Sequence, residues 1–458
     1  MQNMTRLLEV IDRAYNGPFI DEKEFDLKVV AHGVAQRLKK FGIKFNQGQV
    51  IQTDDDMNDR LWQAGLEFFE SSGVYNATTN RQMKFSRDEI EQALRWMPRE
   101  VTIGEGLDAR PYRLRKLEDP CPPQVSGGPI GTPLSEDLWI PVMQSYWQEP
   151  LIDLVVPGTL ATCYGREVRS NSPLEIVASW QEAHFGREAA RRAGRPGTAR
   201  MCVEMAISDV GHLSAISRGG FKPSDVHVVA MIGEMKTNNE LLNKITHSIQ
   251  QNGVLLGFYN PILGGLAGPE EGVALLIVAG FIAMATIYMP SSVESCPTHP
   301  FNFNSTGPQI LRAVSAACAA VNRNSHMLIE FMTSPVSGPM TETLLYECLG
   351  MATVASTCGA SRVLGVRSAV GVETNHCSGL EARFNGEVAQ AAAGMSRSQA
   401  DEIVRRAIAQ YDPVLGTRPV GLPFDRVYDP ACVKPTPDWH DIYEKVKEQA
   451  FRWGLPVR

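Results

Sequence analysis

The stretch MIGEMKTNN sets Glu234 and Lys236 two residues apart after an apolar run, where they could act as an acid/base or anchoring pair. The same two side chains also read as an ion pair at the surface, which contributes little. ETNHCSG gathers Glu373, His376 and Cys377 into one short loop, a combination that suits a metal or a nucleophile but also an ordinary polar loop. HPFNFN (299–304) and the aromatics Trp139, Tyr146, Trp147, Phe258 and Tyr259 could cage a quaternary ammonium, although aromatics more often fill cores. SGGPIGTPLSED (126–137) has the glycines of a backbone nest but not the lysine that opens the helix of a phosphate loop.

These residues need a frame to bring them together. The first hundred residues are helical in pattern. TDDDMNDRLWQAGLEFFESSG (53–73) keeps a stripe of Met57, Leu61, Ala64 and Phe68 behind a capping pattern that starts at Thr53, and Ser86 with Glu89 forms a capping box. A Pro/Gly-rich passage at 118–137 marks a boundary. Beyond it, short apolar runs alternate with helical stretches. Strands are expected near 123–127 and at DLVVPG (153–158), ARMCVEM (199–205), DVHVVAMI (225–232), VLLGFYN (254–260), TIYM (286–289), SHMLIEFM (325–332) and SRVLGV (361–366).

Eight strands with helices between them predict a (β/α)₈ TIM barrel with N-terminal and C-terminal helical extensions; a doubly wound open sheet is the alternative. The expected division is an N-terminal helical extension over 1–120, the barrel over 121–395, and C-terminal helices over 396–458, with Thr436 as cap and Pro437 as first helical residue of the last one. Barrels hold function at the C-terminal ends of their strands. That rule singles out Pro157, Glu204, Glu234, Lys236, Phe258 to Asn260, Thr333 to Ser337, Arg367 and Glu373, with the glycine-rich passage at 126–137 expected as a tight turn below the barrel.

Composition narrows the classes. Of 458 residues, 43% are apolar, enough for a sizeable core, and 44 Lys and Arg against 51 Asp and Glu leave a charge of -7. That balance argues against a nucleic-acid partner, which needs a basic footprint. The start MQNMTRLLEVIDRAYNGPF has no signal-peptide core, and nine scattered cysteines without CxxC spacing read as reduced thiols in a cytoplasmic protein with no metal. GVALLIVAGFIAMATIYMP (272–290) reaches the lower length limit of a membrane span, yet it opens beside Glu270 and Glu271 and reads as a buried helix running into a buried strand. No membrane partner is expected.

Several long segments carry a family resemblance. GGPIGTPLSEDLWIPVMQSY (127–146), AGRPG (193–197), GGLAG (264–268), GPMTE (338–342) and SGLEARFNGEVAQAAAG (378–394) resemble, in order and spacing, the archaeal monomethylamine methyltransferase family. The resemblance covers almost the whole chain. It implies a (β/α)₈ barrel assembled as a homo-oligomer, a hexamer in that family, which moves a methyl group from methylamine to a cobalt corrinoid held by a partner protein. No permanently bound cofactor is implied for the chain itself.

The resemblance breaks at the chemistry. The position of the family's pyrrolysine, whose imine adds the amine, is Met201; the site glutamate falls on Phe258; the glutamine and tyrosine fall on Met332 and Ser334. A thioether offers neither electrophile nor charge. Four replacements by a mutually compatible, mainly apolar set imply a re-purposed pocket. A quaternary ammonium departs as a neutral amine, so it needs orientation in a dry, soft pocket rather than activation.

The expected function is therefore a methyltransferase subunit lacking pyrrolysine. It passes a methyl group from a small, quaternary methylated amine to Co(I) of a corrinoid protein. Met201, Phe258, Met332 and Ser334 line the substrate end, with Glu204, Tyr259, Glu234 and Lys236 nearby by strand position, and no residue is assigned as acid or base. Two other classes stay open: a barrel enzyme with acid/base chemistry and no corrinoid, and a non-catalytic paralogue that binds a metabolite or a corrinoid protein.

Overall fold

The run VHVVAM turns Val226 and Val228 to one face and His227 and Val229 to the other, and all four are buried. A strand covered on both faces belongs to a parallel sheet flanked by helices, and such a sheet forms. In the structure, a computed structural model that describes residues 2–202, 208–217 and 219–457, eight parallel strands close into a barrel. They are β1 (Gln124–Gly127), β2 (Leu154–Val155), β3 (Ala199–Cys202), β4 (Val226–Met231), β5 (Val254–Tyr259), β6 (Ser292–Ser295), β7 (Ile329–Met332) and β8 (Arg362–Gly365). Neighbours follow chain order, and β8 returns to pair with β1 through Arg362↔Gln124 and Val363↔Val125.

After each strand comes a helix: α1 (Trp139–Trp147), α2 (Pro173–Arg192), α3 (Asp209–Ala215), α4 (Asn239–Gln250), α5 (Glu270–Ile287), α6 (Pro308–Asn324), α7 (Glu342–Thr357) and α8 (Gly379–Ala391). The (β/α)₈ expectation holds. One strand was misplaced: TIYM at 286–289 is the last turn of α5 and its exit, and the strand lies six residues on at Ser292–Ser295. Helix α5 is long and apolar enough to cross a membrane, but 94% of that window is buried inside the fold. It packs against α6, β5 and the N-terminal helix Asp55–Ser72. Apolar all round, it is a helix covered on every side.

The flanking elements close the barrel's other surfaces. Helix Asp55–Ser72 lies on α5 and α6. Its cap is Asp54, which accepts the Met57 N–H at 2.9 Å, rather than Thr53. The Ser86/Glu89 capping box forms. Helix Arg397–Tyr411 packs on α7, and Pro437–Arg452, capped by Thr436, packs on α7 and α8. An antiparallel hairpin, Glu100–Ile103 with Arg110–Arg113, plugs the N-terminal end of the barrel. Its Ile103 joins the inner core, and its Tyr112 ring lies 3.9 Å from the Arg362 guanidinium carbon.

Two cores result. The outer one, between strands and helices, includes α5, Tyr259, Trp139, Tyr146 and Trp147. The inner one fills the barrel with Leu154, Val156, Met201, Val228, Leu256 and Met332 among others.

Candidate active site at the barrel mouth

Strand parity decides which side chains reach the inside. On β4 and β5 the register pairs Val226↔Val254, Val228↔Leu256 and Ala230↔Phe258, and the members below the mouth belong to the inner core. Ala230 is exposed and Phe258 half-buried, so this end of the barrel opens to solvent while the layers beneath are sealed.

Met201 on β3, level with Val226, and Met332 on β7, level with Leu364, are both buried in the inner core. Beyond Met332 the chain alternates: Thr333 Oγ1 donates outward to Asn385 Oδ1 at 3.0 Å, which leaves Ser334 on the inward side. The Ser334 N–H donates to Ser305 Oγ at 2.8 Å, and Ser305 Oγ donates to the Met332 carbonyl at 3.0 Å. The Ser334 hydroxyl is buried and makes no hydrogen bond of its own. Met201, Met332 and Phe258 thus belong to one inner cluster, with Met201 in the sealed layers beneath the mouth, and Ser334 follows Met332 on the inward side.

Of the other four expected residues, the three that are described do not join them. Glu204 lies outside the described residues. Tyr259 follows Phe258 on the strand and faces the other way, with its ring so close to Gly280 of α5 that a Cβ there would stand 2.3 Å from it. Lys236 belongs to a short strand outside the barrel that pairs with Tyr75–Asn76. Its ammonium is held by Glu22 at 2.9 Å and Asp26 at 2.7 Å, not by Glu234. It anchors the N-terminal helices. Glu234 turns its carboxylate toward Gly265 in the loop after β5, and burial raises its pKa.

The remaining candidates disperse. His376 Nδ1 meets the Val420 carbonyl at 2.8 Å, and the Cys377 thiol is buried beside Tyr146, so the ETNHCSG loop is a structural connection. Among the described residues no group of three or more His, Cys, Asp or Glu side chains is placed to hold a metal. Phe301 and Phe303 point to solvent, 85% and 58% exposed, and Trp139, Tyr146 and Trp147 are outer core. Of the aromatic cage only Phe258 faces inward. The glycine-rich passage lies at the mouth, not below the barrel: it follows the C-terminal end of β1, and Gly128 comes so close to the Val156 carbonyl that no side chain fits.

Three inner residues were missed by sequence reasoning. Glu294 on β6 is buried, in register with Phe258 on one side and Glu330 on the other. Cys296 follows it on the same face, and burial pushes its thiol up to about 12 against the pull of Arg367 and Ser305. Such a thiol stays protonated and is no nucleophile. Ile130, in the glycine-rich passage, completes the inner core at the mouth, and its carbonyl accepts from Arg367 Nε at 3.2 Å. Below them Glu330 and Arg362 sit 3.3 Å apart with no exposure; burial raises the Glu330 carboxyl and the guanidinium pulls it back.

Fold and site together define a (β/α)₈-barrel protein whose inner core beneath the C-terminal mouth carries two thioethers and a neutral thiol, with a half-buried phenyl ring above them. The profile of the monomethylamine methyltransferase MtmB family matches residues 5–455, and the chain belongs to that family of corrinoid-dependent methyltransferases. Monomethylamine methyltransferase MtmB2 of Methanosarcina acetivorans is 32% identical over 445 residues, 97% of each chain, and MtmB of Methanosarcina mazei shares the same identity and coverage. The crystal structure of the Methanosarcina barkeri monomethylamine methyltransferase superposes with a TM-score of 0.95 at 30% identity over 98% of each chain. A hydroxylamine complex of MtmB matches equally.

Proposed function

We propose that this chain passes a methyl group from a small quaternary methylated amine, not monomethylamine, to Co(I) of a corrinoid on a partner protein. The observation that carries this reading is the make-up of the inner face at and beneath the mouth: Met201, Phe258, Cys296 and Met332 present two thioethers, a protonated thiol and an aromatic ring. None of these four can add an amine, and none is an effective acid, although the Glu294 carboxyl lies in register with Phe258 on the same face. A quaternary nitrogen needs neither, because it leaves with the bonding pair as a neutral tertiary amine.

Each residue then has a physical task. Phe258 offers a ring face to the cation, an attraction that grows as water is excluded. Met201 and Met332 give polarizable walls that fit methyl groups closely. Exposed Ala230 leaves the entrance free of bulk, where a carrier can present its cobalt. The corrinoid supplies the nucleophile, and the protein holds the C–N bond in line with its approach. A cytoplasmic, homo-oligomeric state belongs to the same reading.

A second reading rests on Glu234, whose raised carboxyl is what acid/base chemistry in a barrel without corrinoid would use. Against it, Glu234 faces the loop at Gly265 and lies apart from the inward set.

The test combines the protein, a reduced corrinoid protein and a panel of methylated amines, with corrinoid methylation followed by absorbance. The expected result is methylation from quaternary donors and none from monomethylamine. Methylation from monomethylamine alone, or from no donor while a control enzyme succeeds, overturns the reading.

A further inference from the structure

Among the described residues, Arg367 is a cation near the mouth that the proposed methyl transfer does not use. Arg367 follows β8, half-buried, with its backbone N–H donating to the Thr333 carbonyl at 3.0 Å. Its Nε is fixed by the Ile130 carbonyl at 3.2 Å, and the guanidinium is near enough to the Cys296 thiol to pull that thiol's pKa down. Both neighbours belong to the inner core that contains Met201 and Met332. Among the described residues the guanidinium takes part in no ion pair, whereas Arg362 beneath it is paired with Glu330.

The backbone around Arg367 is shaped to keep it there. Ala369, Val370 and Gly371 follow in left-handed conformation, with φ of 50°, 50° and 69°. For a β-branched valine this is an outlier that costs free energy and persists only where the surroundings impose it. Here Ala369 N–H and Val370 N–H are tied to the Ser337 and Pro335 carbonyls at 2.8 and 2.9 Å. Gly371 is required as well, since a Cβ would stand 2.5 Å from Arg367 Nε. A strained turn, a bare glycine and a carbonyl anchor converge on one guanidinium whose terminal nitrogens make no hydrogen bond or ion pair among the described residues.

We propose that Arg367 binds a carboxylate on the methyl donor, so that the substrate is a quaternary ammonium carboxylate: the methylated nitrogen goes to Phe258 and the thioethers, and the anion goes to Arg367. This inference rests on the methyl-transfer reading for the identity of the nitrogen end. The guanidinium fork matches a carboxylate with two parallel N–H···O bonds. The hydroxyl of Ser334 is a further donor on the inward side.

Binding and turnover are measured separately. Calorimetry with N,N,N-trimethylglycine and its neutral carboxamide analogue is run on the wild-type protein, on Arg367→Gln and on Arg367→Lys, each checked for folding by thermal unfolding. The carboxylate is expected to bind the wild type about 30- to 100-fold more tightly than the carboxamide, the value of hydrogen bonds to a charged group. Arg367→Gln is expected to erase that preference and Arg367→Lys to keep part of it. In turnover the loss falls on KM rather than kcat, because the anchor acts on ground and transition states alike.

Equal binding of the two ligands by the wild type overturns the inference, and that arm needs no variant. A kcat loss in Arg367→Gln that is equal for every donor also overturns it and assigns Arg367 to the corrinoid carrier. Tight carboxylate binding without methylation upholds the anchor and rejects the methyl-transfer reading, so the two failures are distinct.

Discussion

Arg362 Nε and Glu330 Oε2 lie 3.3 Å apart at the floor of the barrel, both without exposure, with the Tyr112 ring closing over the guanidinium from below. Such a pair spends its attraction on desolvation. Removing one partner leaves a buried charge, so Arg362→Met is expected to lower stability by about 3–5 kcal/mol. The double variant Arg362→Met, Glu330→Leu is expected to recover most of that loss. Urea unfolding of the singles and the double gives the coupling; an additive double variant would mean that the two groups do not meet in solution.

A second buried carboxyl sets a pH dependence. Burial pushes Glu149 up to about 7, with Arg383 4.0 Å away and itself engaged by Glu387 at 2.9 Å. Between the ordinary carboxylate range near 4.5 and this value, the folded state keeps a proton that the unfolded chain has released. Stability therefore falls as pH rises through that window and levels off above it. Glu149→Gln is expected to be more stable than wild type by roughly 2–3 kcal/mol at pH 8, with the gap closing near pH 4. Denaturant midpoints across pH measure it, and a pH-independent gap refutes the assignment to this carboxyl.

Phe258 tests the nitrogen end of the pocket. Phe258→Leu keeps an apolar side chain on the inner face of β5 but removes the ring face. The expected outcome is a loss of about 3- to 10-fold in kcat/KM for quaternary donors, the worth of one partly desolvated cation–π contact. The unfolding midpoint should move little. An unchanged kcat/KM would show that the cation sits elsewhere.

Much of this architecture is legible in the chain, and the gaps have physical causes. The near-continuous apolar runs of β4, β5 and β8 announce strands buried on both faces, so the barrel can be counted. Helix α5 hides its own end: buried all round, it has no polar stripe to mark where it stops, and the β-rich TIYM competes for the next strand. The true β6 carries Ser292 and Glu294 inward, which reads as turn composition, and with that strand went Glu294 and Cys296. Tyr259 was avoidable, since neighbours on a strand cannot both face in and Phe258 already does. The partners of Lys236 were not readable, because Glu22 and Asp26 lie more than two hundred residues away in sequence. Arg367 is plain in the sequence as a residue after β8, but its orientation depends on the left-handed turn at 369–371, which no local propensity suggests.

Ser334 links stability to binding. Its hydroxyl is buried, inward-facing and without a hydrogen-bond partner, a state that costs about 1–3 kcal/mol relative to a satisfied one. Ser334→Ala removes the orphan group with almost no change in volume. The unfolding midpoint is expected to rise, by about 1 kcal/mol in free energy, while KM for a carboxylate donor rises a few-fold because the pocket loses a donor on the side that faces inward. Stability gained where binding is lost is the pattern of a group kept for its ligand. Thermal unfolding and donor titration of the same preparation read both quantities. A midpoint that stays put would mean that solvent already satisfies the hydroxyl, and a KM that stays put would place the donor's polar end away from β7.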